Sequence, residues 1–313
     1  MGHRNALPQL AGRLLVTDGG LETTLIFQHG IELPHFAAFP LLDRPEGRAV
    51  LRSYYDSYGA AARRSGAGCI LDTPTFRVSP DWAAKVGYGA GDLRRVIADS
   101  VALLGGVREA WETPDLPIVI NGAIGPRGDG YSAAETMDPE TAEAFHGPQV
   151  QAYAEAGADL VMAQTMTHVG EAAGIARAAA KAGIPAVVSF TVETDGKLPD
   201  GTSLQDAILA TDAATGSSPA HYLVNCAHPT HVAHALAAES AWIARLRGVR
   251  ANPSPKSHAE LNESTTLEDG DPDELAGLLG AMRQRYRHFT VVGGCCGSDH
   301  RHAEKIGFAC RLA

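Results

Sequence analysis

Eight short apolar runs, each followed by a longer stretch with helical spacing, constrain how this chain can fold. The runs occupy residues 14–17, 69–71, 117–120, 159–163, 186–190, 221–225, 248–251 and 289–292. Most are too short for a helix and are closed by glycine or polar residues, so they read as strands. Between them, apolar positions recur every three to four residues. In 48–65 they are Leu51, Tyr54, Tyr55, Tyr58, Ala61 and Ala62, which makes these tyrosines core residues. Similar spacing marks 93–107, 139–155 (with Pro148 kinking or restarting it), 169–181, 204–210 and 232–244. Asp271-Pro272 then opens a last helix through Met282 as N-cap and first turn.

Strand–helix alternation repeated eight times over roughly 290 residues fits a single-domain α/β fold, the (β/α)8 TIM barrel. Its core runs from about 14 to 308 of the 313 residues. An open doubly wound sheet is the rival, but no Gly-x-Gly-x-x-Gly follows a strand, which counts against a dinucleotide fold. The distribution of polar residues favours the barrel. Asp18, Asp72, Asn121, Gln164, Glu193, Asn225, Cys226, Cys295 and Cys296 all follow apolar runs, at the strand ends where barrels build their sites.

The cysteines carry the chemistry. Cys295 and Cys296 follow 289–292 across Gly293-Gly294, and Cys226 ends the sixth run. Adjacent cysteines bond each other only with strain. Three thiolates on two strand ends instead suit zinc with one coordination position left open. Such a centre is too rich in donated charge to activate water well, but it suits holding a substrate thiol as thiolate. That predicts alkyl transfer to sulfur, most simply a methyl group from a cationic donor. Cys69 and Cys310 stand away from strand ends and read as packing residues. His228, His231 and His234 read as a solvated helix start, with His228 close behind the cysteines. Asp18-Gly19-Gly20, Thr73, Asn121, Gln164 and Asn225 are the expected substrate-binding positions.

Composition agrees with a small-molecule protein. The net charge of −10 argues against nucleic-acid and anionic-membrane partners. Apolar runs fall short of a membrane span, and five cysteines do not suggest a secreted disulfide scaffold, so the cytoplasm is the expected location. A homo-oligomer is compatible with the sequence, which does not set the number of copies.

Gly293-Gly294-Cys295-Cys296-Gly297, with Asn225-Cys226 and the opening Asp18-Gly19-Gly20, resembles the homocysteine S-methyltransferases over nearly the whole chain. The resemblance implies a (β/α)8 barrel with zinc on Cys226, Cys295 and Cys296. It also implies that Asp18 and nearby backbone amides bind the amino-acid end of a thiol acceptor, homocysteine or a related thiol or selenol. The chain has no extra length for a cobalamin or folate module. The implied methyl donor is therefore small and cationic, of the S-methylmethionine or betaine kind. A thiol-binding protein or a zinc hydrolase on the same barrel is the alternative.

One position departs from the family. Gln164 stands where it usually has a glutamate facing the substrate ammonium, and a neutral amide offers that group no charge. The expectation is an acceptor different from, or broader than, homocysteine, with Gln164→Glu shifting preference toward homocysteine. The segment 251–258 is also unusual, and Lys256 or His258 is expected to face a different substrate group.

Overall fold

The computed structural model describes residues 2–236 and 240–312. Eight parallel strands close into a barrel in sequence order. They are β1 Leu15–Thr17, β2 Gly68–Asp72, β3 Ile118–Ile124, β4 Leu160–Met166, β5 Ala186–Phe190, β6 His221–Ala227, β7 Leu246–Ala251 and β8 Val291–Gly294. Leu15 pairs with Gly68 on one side and with Val291 on the other, so no edge is left. The helices Pro45–Ser65, Ala90–Trp111, Pro139–Ala156, Val169–Ala182, Leu204–Thr215, Pro229–Ala235, Pro272–Arg285 and His300–Ala309 follow the strands in turn. Pro148 lies inside one uninterrupted helix. The helix expected over 232–244 is shorter: it stops at Ala235, and a 3₁₀ turn, Ala241–Arg245, precedes β7. Residues 237–239 of that stretch lie outside the described residues.

Side chains alternate across a strand, so each strand of a closed barrel sends every second residue inward. Leu15, Ile70, Val119, Leu160, Met162, Val187, Leu223 and Val291 form one buried cluster inside the barrel, with Leu7 of the N-terminal segment packed on it. Their neighbours Val16, Cys69, Leu71, Ile118, Val161, Val188, Val224 and Val292 belong to the second cluster, shared with the helices. Tyr54, Tyr55 and Tyr58 lie in that outer layer, as their spacing predicts. Two steps past the apolar layer, the inward positions become polar: Asp72, Asn121, Gln164, Ser189, Asn225 and Arg250, all at most partly exposed. The barrel thus has a dry floor and a polar upper layer, both built from the inward-facing positions of the strands.

The strand joining β1 to the cysteine loop leaves no room for side chains. A Cβ on Gly293 would run into Thr17, whose backbone nitrogen would lie 2.9 Å away and whose Oγ1 would lie closer still. Gly293→Ala is therefore expected to destabilise the protein by about 1–3 kcal/mol through overpacking. A lowered urea midpoint with an unchanged m-value checks this.

Candidate functional site

At the polar end of the barrel, alternation is broken twice, and both breaks face the site. β4 shifts register between Ala163 and Met166, and β6 between Asn225 and Ala227. Each shift holds one non-glycine residue in the left-handed region, Thr165 at φ 58° and Cys226 at φ 55°. Strict alternation would turn Cys226 outward after Asn225. The bulge instead lets consecutive residues, Asn225 and Cys226, line the same cavity, as do Gln164 and Thr165. Such conformations persist only where surrounding bonds hold them. Asn225 supplies several: its Oδ1 accepts from Thr165 N at 3.0 Å and Ser189 Oγ at 2.6 Å, and its Nδ2 donates to Thr165 Oγ1 at 2.8 Å.

Cys226 meets Cys295 and Cys296 here, and the three sulfurs lie within 4.8 Å of one another. Cys226 and Cys295 are drawn together as a disulfide with Cα atoms 5.4 Å apart, and Cys226 Sγ is 4.0 Å from Cys296 Sγ. Asn225 Nδ2 also points at the sulfurs, 3.3 Å from Cys226 and 3.8 Å from Cys295. Tyr131 Oη is 3.7 Å from Cys296 Sγ, and burial pushes both the Tyr131 hydroxyl and the Cys296 thiol up. The Cys226 carbonyl accepts from Asn252 Nδ2 at 3.1 Å and His258 Nε2 at 2.7 Å. His258 is held in turn by Glu193 Oε1 at 2.9 Å from its Nδ1, and it stacks on Tyr131 with ring centres 4.1 Å apart.

A buried ion cluster lies beside the sulfurs. Arg250 of β7 donates from Nη2 to Asp18 Oδ1 at 3.0 Å and from Nη1 to Asp72 Oδ2 at 2.6 Å, with its side chain 4% exposed. Asp18 Oδ2 accepts from the Asp72 backbone N–H at 3.1 Å. Asp72 also takes Gln164 Nε2 at 2.5 Å and Asn121 Nδ2 at 2.6 Å. Burial and the neighbouring Asp72 hold the Asp18 carboxyl well above its ordinary range, against the pull of Arg250.

A profile of the homocysteine S-methyltransferases matches residues 15–310 of this sequence. The chain belongs to the homocysteine S-methyltransferase family. It is 31% identical to Homocysteine S-methyltransferase of Escherichia coli K12 over 66% of this chain and 69% of that one. It is 25% identical to Homocysteine S-methyltransferase YbgG of Bacillus subtilis over 94% and 93%. The fold superposes on the homocysteine methyltransferase MmuM of Escherichia coli with a TM-score of 0.73 in both its oxidised and metallated forms. Identity is 23% and 22%, covering 97% and 96% of this chain and 98% of each of those.

In this homocysteine S-methyltransferase-family barrel, a cavity of ≈ 290 Å³ opens onto the three cysteines. Asp18, Gly19, Gly20, Thr73, Gln164 and Asn225 line it. Asn121 does not: β3 runs on to Ile124, so Asn121 is an inward residue mid-strand, buried against Asp72, and not part of a loop. Asp18 is at the wall, but both its oxygens are engaged by the protein. Cys69 and Cys310 are buried away from the cluster. Of His228, His231 and His234, only His234 is solvated; the other two are buried, with His231 Nε2 meeting Pro255 O at 3.1 Å. Lys256 points to Glu268 at the surface, 2.7 Å away.

Tetrahedral zinc with Zn–S bonds of ~2.3 Å spaces its sulfurs roughly 3.8 Å apart. The Cys226–Cys296 separation of 4.0 Å fits that donor set, provided the Cys226–Cys295 pair is reduced. Amide N–H groups directed at the sulfurs favour the thiolate forms a metal requires.

Arg250, Glu22, Arg77 and Tyr131 also line the cavity, and sequence reading did not single them out. Arg250 was legible in principle, since a charged residue ending an apolar run of a barrel must point inward or find a partner. Arg250→Gln removes the cation between two carboxylates and is expected to cost about 3–5 kcal/mol at neutral pH. The Asp18 carboxyl would then rise further, so the fold disfavours its charged form. The deficit should shrink as pH is lowered and Asp18 takes up a proton, and grow as pH rises and Asp18 ionises, as read from urea midpoints of variant and wild type.

Proposed function

We propose that this protein is a zinc-dependent homocysteine S-methyltransferase that takes its methyl group from a small sulfonium donor of the S-methylmethionine kind. The observation that carries the reading is the convergence of three cysteine sulfurs, from the ends of β6 and β8, on one cavity of a barrel in this family. Cys226, Cys295 and Cys296 would hold the metal. Bound zinc supplies a positive centre that keeps an acceptor thiol deprotonated at neutral pH. In the overall reaction the methyl–sulfonium bond breaks, a methyl–thioether bond forms at the acceptor sulfur, and the thiol proton leaves to solvent. Methionine is then the product from homocysteine.

The chain's own groups support that chemistry by placement. Asn225 orients two strand ends at once and directs its amide at the sulfurs, where it offsets negative charge. Asn252 and His258 fix the carbonyl of Cys226 and so its left-handed backbone. The Asp18–Arg250–Asp72 cluster provides a rigid wall whose charges are already matched.

Gln164 belongs to that wall. Its amide donates to Asp72 Oδ2, which a glutamate could not do without a proton. The expectation that Gln164→Glu improves homocysteine use is accordingly revised: the new carboxylate would face Asp72 at hydrogen-bonding distance. Gln164→Glu should lower stability and leave the preference for homocysteine over its des-amino analogue no higher than in the wild type. A gain in that ratio of kcat/KM values would restore the charge-deficit reading.

The assignment of the metal is tested by substitution. In reduced protein, Cys226→Ser, Cys295→Ser and Cys296→Ser should each lose most bound zinc and abolish homocysteine methylation. Cys69→Ser and Cys310→Ser should keep full metal content. Normal zinc content together with normal turnover in any of the first three variants would sink the assignment.

A further inference from the structure

Of the charged side chains lining the cavity, Asp18, Asp72 and Arg250 satisfy one another. Glu22 and Arg77 do not. Glu22 follows the Asp18-Gly19-Gly20 turn in a three-residue helical turn, and among the described residues its carboxylate is met by its own backbone N–H and by no other residue's hydrogen bond or ion pair. Burial raises it to about 7, while its own backbone N–H and, after it, the Arg77 charge pull the other way; both side chains line the same cavity. Arg77 is half-buried, with one N–H on the Gly128 carbonyl at 3.2 Å and a buried Nε that has no partner. Its guanidinium lies over Trp82 and Phe76, 4.0 and 5.0 Å from the ring centres. Stacking fixes the guanidinium plane and leaves its N–H edge for a planar anion. The exposed Asp129 is the other carboxylate acting on Arg77, and it is bound to the Tyr131 backbone N–H.

A carboxylate with no side-chain partner and an under-used guanidinium on one small cavity are costly unless a ligand completes them. A ligand that carries a cation and a planar anion a few bonds apart is a zwitterionic α-amino acid. We propose that Glu22 and Arg77 are specificity-determining residues that grip the amino-acid end of a substrate, Glu22 taking the α-ammonium and Arg77 the α-carboxylate. This rests on the methyltransferase reading of the cavity, and it supplies from helix start and β2 loop the charge that Gln164 lacks. Acceptor and donor can share this chemistry, since homocysteine and S-methylmethionine are both amino acids.

The experiment compares wild type, Glu22→Gln and Arg77→Gln in the reduced, zinc-loaded enzyme. Acceptors are homocysteine, 4-sulfanylbutanoate (no ammonium) and 3-sulfanylpropan-1-amine (no carboxylate). Glu22→Gln should lower kcat/KM roughly ten- to a hundredfold for homocysteine and the amine but leave the butanoate unchanged. Arg77→Gln should lower it for homocysteine and the butanoate but leave the amine unchanged. If instead the acceptor pattern is flat and only the KM for S-methylmethionine rises, relative to a trimethylsulfonium donor, the grip belongs to the donor. Equal losses for every acceptor and donor, with unchanged melting temperature and zinc content, overturn the proposal. Calorimetric binding of methionine provides a readout independent of turnover. A wild type that binds methionine, loses that binding in Glu22→Gln and transfers no methyl group would retain the amino-acid grip while refuting the methyltransferase reading. Methionine binding equal in all three proteins would overturn the grip itself.

Discussion

The upper half of this barrel depends on one buried cation. Arg250 joins β7 to the ends of β1 and β2 through Asp18 and Asp72, and Asp72 carries the link to β3 and β4 through Asn121 and Gln164. Five strands are thus tied by charge-assisted bonds in a region where apolar packing has stopped. Replacing such a cluster by apolar residues can be neutral for stability, whereas removing one member leaves a bare charge. The arrangement is therefore better understood as fixing the cavity wall than as a source of stability. A wall of matched charges does not compete for the ligand, which leaves the unmatched groups to select it.

The sulfur site depends on a different device. A period-two strand presents one residue to the barrel interior and hides the next. Three sulfurs and the amide that serves them require consecutive residues on the same side, and the bulge at Cys226 provides this at the cost of a left-handed backbone. On β8 the same need is met without strain at the cysteines, because Gly293 and Gly294 admit close contact with Thr17 and Ser298 and let the chain turn at once. Asn225 links the two solutions: it holds both bulges by hydrogen bonds and reaches two of the three sulfurs.

These devices explain what was legible in the sequence. The barrel was legible because strand and helix periods differ and each is repeated eight times, and the cysteine cluster because two strand ends in one ring must converge. Asn121 was placed at a strand end, and not mid-strand, because its strand continues through Gly122 and Ala123, small residues that carry no apolar signal. The helix after β6 was drawn too long because the apolar spacing of 232–244 continues into residues that form a separate turn. Burial of His231 had no local signal, since it meets a loop more than twenty residues away. Glu22 and Arg77 lie on short irregular segments, where periodicity says nothing about direction.

The neutral amide of Gln164 shows why a single position is a poor guide to specificity. Taken alone, the amide reads as a missing counter-charge for an ammonium. In the folded protein that position already faces Asp72, which itself neighbours Asp18, with a single guanidinium between them. Another carboxylate there would need a proton or a second cation, because like charges at hydrogen-bonding distance cannot both ionise cheaply. The amide is thus what the Arg250 cluster requires, and any charge meant for substrate has to sit elsewhere on the cavity. Glu22 meets that condition: it lines the same cavity, no other side chain among the described residues bonds it, and the cavity also holds the Arg77 guanidinium, whose buried Nε has no partner. On the proposed amino-acid grip, what looks in the sequence like a loss of recognition would be a relocation of the carboxylate from the fourth strand to the first turn after the glycines.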